Sequence, residues 1–170
     1  ALAEVTPAPG RMQHIEGEPA VVVDYAHTPD ALEKTLLALR PFANKRQGKL
    51  WVVFGCGGDR DRSKRPLMGA AAADKADFVV VTSDNPRSEK PENILQEIVD
   101  GIDKARQDKL HVEVDRVRAI EFAVAKASAK DVVLLAGKGH ESTQTIGAQV
   151  IAHSDVQCAT SALGKRGAHA

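Results

Sequence analysis

Apolar residues in this chain gather into short, nearly unbroken runs separated by longer amphipathic stretches. Ala20 to Val23, Leu50 to Phe54, Phe78 to Val81 and Val132 to Leu135 are the clear runs, and His111 to Val114 is a shorter, weaker one. Continuous β-branched runs without polar alternation are expected of strands buried on both faces. The intervening stretches carry helix signals. Thr28-Pro29 places an N-cap before a proline in the first turn, and Leu32, Leu36 and Leu39 follow on one face. Pro66 is expected to open a helix through Ala76, and Pro91 another with Ile94, Ile98, Ile102 and Ala105 on one side. Asp115 caps a helix whose stripe is Val117, Ile120, Val124 and Ala127, and a short last helix starts at Ser154.

Strand alternating with helix implies parallel strands joined by right-handed crossovers. Gln144 to Ile151, around Gly147, reads as a small hairpin. The expected fold is α/β: a Rossmann-like, open, mostly parallel sheet of about six strands with helices on both faces. Ala1 to Gly10, with Pro7 and Pro9, reads as a linker or a cut point, and residues 11–170 as one domain.

Composition narrows the functional classes. The 170 residues suit one domain, large enough to fold without disulfides or metal. The 23 basic residues equal the 23 acidic ones, so net charge suggests neither nucleic acid nor a membrane surface as partner. No apolar run reaches the ~18–20 residues of a membrane span, and the start lacks a signal-peptide pattern. Cys56 and Cys158 form neither a disulfide framework nor a zinc pattern, and a reducing cytoplasm is the expected setting.

In such sheets ligands bind beyond the carboxyl ends of the strands. The unusual segments fall there: Asp24-Tyr25-Ala26-His27-Thr28-Pro29, Gly55-Cys56-Gly57-Gly58-Asp59-Arg60-Asp61-Arg62, Asp84-Asn85-Pro86-Arg87 and Gly137-Lys138-Gly139-His140-Glu141. Glycines let backbone approach a ligand, and arginines supply planar donors for carboxylate or phosphate. Taken singly, the glycine run is more often a flexible turn, and Asp84 to Arg87 more often a plain turn ending in a surface charge. Arg60 stands where the dinucleotide fingerprint needs its third glycine. His27 and His140 are the only histidines in these loops, and no pair has metal-ligand spacing. The phosphate loop G-x-x-x-x-G-K-[ST], the nucleophile elbow and a catalytic triad are all missing.

Together these loops resemble the Mur ligases, the ATP-dependent enzymes that build the peptidoglycan stem peptide. Gly10-Arg11-Met12, DYAHTPDAL from Asp24, FGCGGDRD, KRPLMG, DNPR and AGKGHE follow in the family's order and spacing. Gln13 departs from the glutamate that relatives often carry. DNPR resembles the diaminopimelate-recognition motif of the branch that adds that amino acid. The resemblance implies that Arg60, Asp84, Asn85, Pro86, Arg87, Gly137 and Glu141 line the pocket for meso-diaminopimelate. It places Arg11, Asp24 and His27 toward ATP.

It covers only the family's third domain. The UDP-sugar domain and the central ATPase domain, with the magnesium ligands and a carbamylated lysine, lie outside it. Catalytic and metal residues are therefore assigned to none of these positions, and the piece alone is expected to turn over nothing. The family's chemistry implies ATP, Mg2+, UDP-MurNAc-L-Ala-D-Glu and an acyl phosphate, with no nucleic-acid partner and a monomer expected. The competing readings are a lysine- or glutamate-adding ligase of the superfamily, a nicotinamide-dependent oxidoreductase and a non-catalytic binding module.

Overall fold

The computed structural model describes residues 8–169; residues 1–7, including most of the stretch read as a linker, lie outside it. Six strands form one sheet in the order β1-β2-β6-β3-β4-β5. They are β1 (Gln13–Ile15), β2 (Ala20–Asp24), β3 (Leu50–Phe54), β4 (Phe78–Val81), β5 (Leu110–Val112) and β6 (Val132–Ala136). All neighbours pair in parallel except β1, which runs antiparallel to β2 on the edge. The fully buried run expected at 20–23 is thus β2, and it pairs residue by residue with the equally buried β6.

Side-chain alternation splits each strand between two cores. Val22, Val52, Phe54, Val81 and Leu134 face α1 (Pro29–Lys45), α2 (Lys64–Lys75) and α3 (Pro91–Val99). Val21, Val23, Val53, Val80 and Leu135 face α4 (Arg116–Lys126) and α5 (Asp155–Ala168). Helices therefore cover both faces, as periodicity implies. The Thr28 hydroxyl caps α1 by accepting from the Ala31 N–H at 3.2 Å.

Several boundaries differ from expectation for physical reasons. Helix α2 begins at Lys64, so Pro66 sits third in the first turn, where a missing N–H breaks no helical bond. Helix α3 stops at Val99, and the chain continues into a 3-10 turn over Lys104–Lys109 capped by Asp103. Ile102 stays buried, but Ala105 is exposed on that turn rather than on the helix. In α4, Arg116 takes the inward position expected of Val117, which is 42% exposed. Strand β5 is Leu110–Val112, starting one residue and ending two residues earlier than the weak run suggested. The hairpin forms as β7 (Thr143–Ile146) and β8 (Gln149–Ala152), a separate two-stranded sheet. The last helix, α5, is 14 residues long rather than short.

Candidate functional site

The chain leaves β3 toward α2 on one face and leaves β6 toward the hairpin and α5 on the other. Adjacent strands whose connections diverge in this way open a crevice at their carboxyl ends. The segments after β2, β3, β4 and β6 converge there around a cleft of about 360 Å³. Glycines make the convergence possible. A methyl on Gly55 would overlap the Thr82 carbonyl oxygen, and one on Gly58 would overlap that of Pro86. The loops after β3 and β4 thus lie backbone against backbone, joined by the Gly58 N–H donating to the Asn85 carbonyl at 2.8 Å.

Of the residues singled out for an amino-acid pocket, Arg60, Asp84, Asn85, Arg87, Gly137 and Glu141 line this cleft. Pro86 lies behind them, its carbonyl against Gly58. Arg87 is half-buried and holds φ 53°, a left-handed backbone that a side chain disfavours. The hairpin holds it there: the Arg87 N–H donates to the Thr145 carbonyl at 3.1 Å, and the Gly147 N–H donates to the Arg87 carbonyl at 2.7 Å. Its Nη1 donates to the Gly58 carbonyl at 2.9 Å and more weakly to that of Asn85 at 3.5 Å, leaving Nε and Nη2 with no protein partner among the described residues. Arg60 is exposed at the rim and donates to the carbonyl of Asp59.

Sequence reasoning passed over a buried cation behind the pocket wall. Lys138 is fully buried, with Nζ 3.1 Å from Asn85 Oδ1, 3.1 Å from Glu141 Oε2 and 4.0 Å from Asp84 Oδ1. The available signal was a lysine between two glycines directly after a wholly buried strand. Tyr25, Lys64 and Asp61 also line the cleft without having been assigned to it.

The residues assigned to the nucleotide side lie at the β2 end. His27 borders the cleft, with Nδ1 2.9 Å from the Tyr25 carbonyl. Arg11 is exposed and sits over the Tyr25 ring at 5.6 Å. Asp24 is buried, and its carboxylate accepts from the N–H groups of Met12 and Ala26, each at 2.9 Å, and from the Thr35 hydroxyl. That geometry makes Asp24 the clamp that fixes the loop carrying His27 and the turn carrying Arg11. Gly10, at the end of the stretch read as a linker, is buried with its backbone against Gly139 and His140, and Gln13 Oε1 accepts from its N–H.

Two buried guanidinium groups brace these loops from behind. Arg65 bonds Glu89, Glu97 and the Gly57 carbonyl, tying α2 to the glycine loop and to α3. Its hydrogen bonds are the main cause that lowers the Glu89 carboxyl to about 2. Arg116 grips Asp155 with two bonds at 2.8 and 2.7 Å and also donates to the carbonyls of Ser83 and Ala136. His153 adds a 2.7 Å contact to Asp155. Burial alone would raise the Asp155 pKa, but the Arg116 charge and hydrogen bonds hold it far below the usual carboxylate range. Burial pushes the Cys56 thiol up to about 12, so it behaves as an apolar group beside Met68.

Among the described residues no group of three or more His, Cys, Asp or Glu could hold a metal ion. No helix among them is long and apolar enough to cross a membrane.

Fold and site together define a Rossmann-like α/β domain with a polar, charge-paired cleft at its switch point. Residues 10–139 match the family described as "Mur ligase, glutamate ligase domain", and the chain belongs to that family. It is 53% identical over 169 residues to a UDP-N-acetylmuramoyl-L-alanyl-D-glutamate–2,6-diaminopimelate ligase of Acidovorax sp. (strain JS42), covering 98% of this chain and 33% of that protein. A solved structure of a ligase with the same name superposes with a TM-score of 0.84 at 47% identity, covering 96% of this chain and 33% of that one. A bifunctional folylpolyglutamate synthase/dihydrofolate synthase from Yersinia pestis, solved with AMPPNP and a Mn ion, shares the fold. Its TM-score is 0.60 at 23% identity, over 79% of this chain and 29% of that one. The chain spans about a third of the length of the curated relatives it matches.

Proposed function

We propose that this chain is the C-terminal, amino-acid-binding domain of an ATP-dependent ligase that joins meso-diaminopimelate to UDP-MurNAc-L-Ala-D-Glu. The observation that carries this is the pairing of charges across one cleft. Arg87 presents unengaged guanidinium donors, while Asp84 and Glu141 present carboxylates to the same space. An amino acid with an ammonium and a carboxylate at each end suits that set. The guanidinium can take a carboxylate through two parallel hydrogen bonds, and the acidic groups can accept from an ammonium. Arg60, Asn85 and Gly137 complete the pocket, and Pro86 stands behind it against Gly58. High identity to proteins named as diaminopimelate ligases supports the same assignment.

In this reaction the D-glutamate side-chain carboxylate is activated as an acyl phosphate at the expense of ATP. The diaminopimelate amine attacks its carbonyl carbon, the amide forms and phosphate leaves. This domain contributes position. Holding the amine near the activated carbonyl is worth up to ~7–11 kcal/mol of barrier. Arg11 and His27 form one wall for the nucleotide, with Asp24 fixing both. Among the described residues no group of three or more His, Cys, Asp or Glu gathers as metal ligands, and no metal step is assigned to them. UDP-linked substrates and ATP put the reaction in the cytoplasm.

The test is acceptor dependence. The full-length enzyme carrying this domain, given ATP and UDP-MurNAc-L-Ala-D-Glu, releases phosphate and forms the tripeptide with meso-diaminopimelate. With lysine it runs roughly a hundred-fold or more slower, because the pocket's arginine is then left unpaired. Equal rates with lysine, or no product with either, overturn the assignment.

A further inference from the structure

The cation under the pocket has a role that can be worked out from its partners. Lys138 is flanked by Gly137 at φ 111° and Gly139 at φ 54°, conformations that side chains rarely adopt. The chain turns on both sides of the lysine, and its side chain runs beneath the loop to end with no exposed surface. A buried ammonium needs acceptors for its three N–H groups. It has them in Asn85 Oδ1, Glu141 Oε2 and, at the edge of ion-pair range, Asp84 Oδ1.

The consequence for Asn85 is directional. Its Oδ1 accepts from Lys138 Nζ and, at 2.9 Å, from the backbone N–H of Thr145 on β7. Neither group can act as an acceptor, so the amide cannot flip, and Nδ2 must face Glu141 Oε2, 3.3 Å away. Glu141 is held in turn. Both the lysine and the asparagine bond the same oxygen, Oε2, which leaves Oε1 for the cleft. The Asp84 backbone is fixed separately, by Gln144 Nε2 donating to its carbonyl at 2.7 Å. Of the three polar side chains on this side of the pocket, Asn85 and Glu141 thus take their orientation from one buried cation.

We propose that Lys138 is a positioning residue of the amino-acid pocket, orienting the Asn85 amide and the Glu141 carboxylate toward the bound amino acid; this rests on the cleft being the diaminopimelate site. Lys138 itself lies behind both side chains and does not touch the ligand. A purely structural role would show as lost stability with the KM values for both ligands rising together. A positioning role separates them.

The experiment is steady-state kinetics of the full-length enzyme carrying this domain, with Lys138→Met, Glu141→Gln and the double variant, alongside thermal melts. Lys138→Met raises the diaminopimelate KM roughly ten-fold or more, the scale of one charged hydrogen bond, and leaves the ATP KM within about two-fold. In the Glu141→Gln background the same substitution raises KM less than it does alone, because the part of its effect that runs through Glu141 is already lost and only the part through Asn85 remains. Additive effects, or ATP and diaminopimelate KM rising in step, overturn the proposal. If Lys138→Met does not melt cooperatively, Lys138→Gln replaces it under the same criteria, and failure of both makes the lysine a folding residue only, which also overturns it. Arg87→Ala in the same assay separates the two readings. If Arg87→Ala raises the diaminopimelate KM and Lys138→Met does not, only the role of Lys138 falls. If neither does, the pocket assignment falls with it.

Discussion

Replacing Arg87 by alanine and, separately, by glycine separates what its side chain does from what its backbone costs. Nη1 is spent on the Gly58 carbonyl at 2.9 Å, so the part free for a ligand carboxylate is the edge formed by Nε and Nη2. Losing a charged hydrogen bond of this kind costs ~1.5–3 kcal/mol, which corresponds to a diaminopimelate KM raised roughly ten- to a hundred-fold. Both substitutions remove that edge, so both should show the same loss. Their stabilities should differ. At φ 53° alanine keeps the Cβ that makes the left-handed region unfavourable by ~1–2 kcal/mol, and glycine does not. Glycine's extra freedom in the unfolded chain takes back ~0.5–1 kcal/mol. The glycine variant should therefore melt at or slightly above the alanine variant, by up to ~2–4 °C. Phosphate release at saturating ATP with varied diaminopimelate gives KM, and a thermal scan gives the melt. An unchanged KM in both variants refutes the role given to the guanidinium. A glycine variant melting well below the alanine one refutes the account of backbone strain.

Two further outcomes follow from the supporting contacts. Asp155 has a depressed pKa, so its stabilisation is complete above the unfolded carboxylate value of ~4 and drains away as pH falls toward the folded value. Asp155→Asn should lose about 3–5 kcal/mol in urea unfolding at pH 7 and decline less steeply than the native chain below pH ~4, whereas parallel acid curves would refute the pairing. Gly58→Ala must push the loop after β3 away from the Pro86 carbonyl, which should cost ~1–3 kcal/mol and raise the diaminopimelate KM more than the ATP KM. A native-like melt would show that the two loops are not in contact.

The parts of the fold that were legible in the sequence are those governed by local rules. Buried strands announce themselves as apolar runs, and Thr28, Pro29, Asp115 and Ser154 mark helix starts through their own backbone chemistry. The loops at the strand ends were legible for the same reason, since glycine and proline punctuate them. Strand β1 was not, because a three-residue edge strand with His14 exposed carries no hydrophobic pattern. The burial of Val117 was misjudged because a helix stripe counts lysine and arginine as outward residues. Arg116 reverses that rule only through a partner 39 positions away. Lys138 escaped notice likewise, as its partner Asn85 lies 53 positions earlier.

These buried cations share a physical logic that an apolar core could not supply. Where a parallel strand ends and a binding loop begins, the ladder stops and backbone carbonyls lose their partners, yet they remain too deep for water. An unpaired buried carbonyl costs about as much as a lost hydrogen bond. Arg116 donates to the carbonyls of Ser83, two residues past β4, and Ala136, at the end of β6, and Arg65 donates to Gly57 in the loop after β3. A guanidinium serves because its planar set of donors reaches carbonyls and carboxylates in fixed directions at once. The charge this buries is then neutralised by Asp155 in one case and by Glu89 and Glu97 in the other. Apolar packing would leave each loop free to slide, whereas directional bonds to successive strand ends fix their relative positions. Asp84, Asn85, Arg87, Gly137 and Glu141 are carried on the loops so fixed, which is what lets flexible-looking polar segments present one defined cleft.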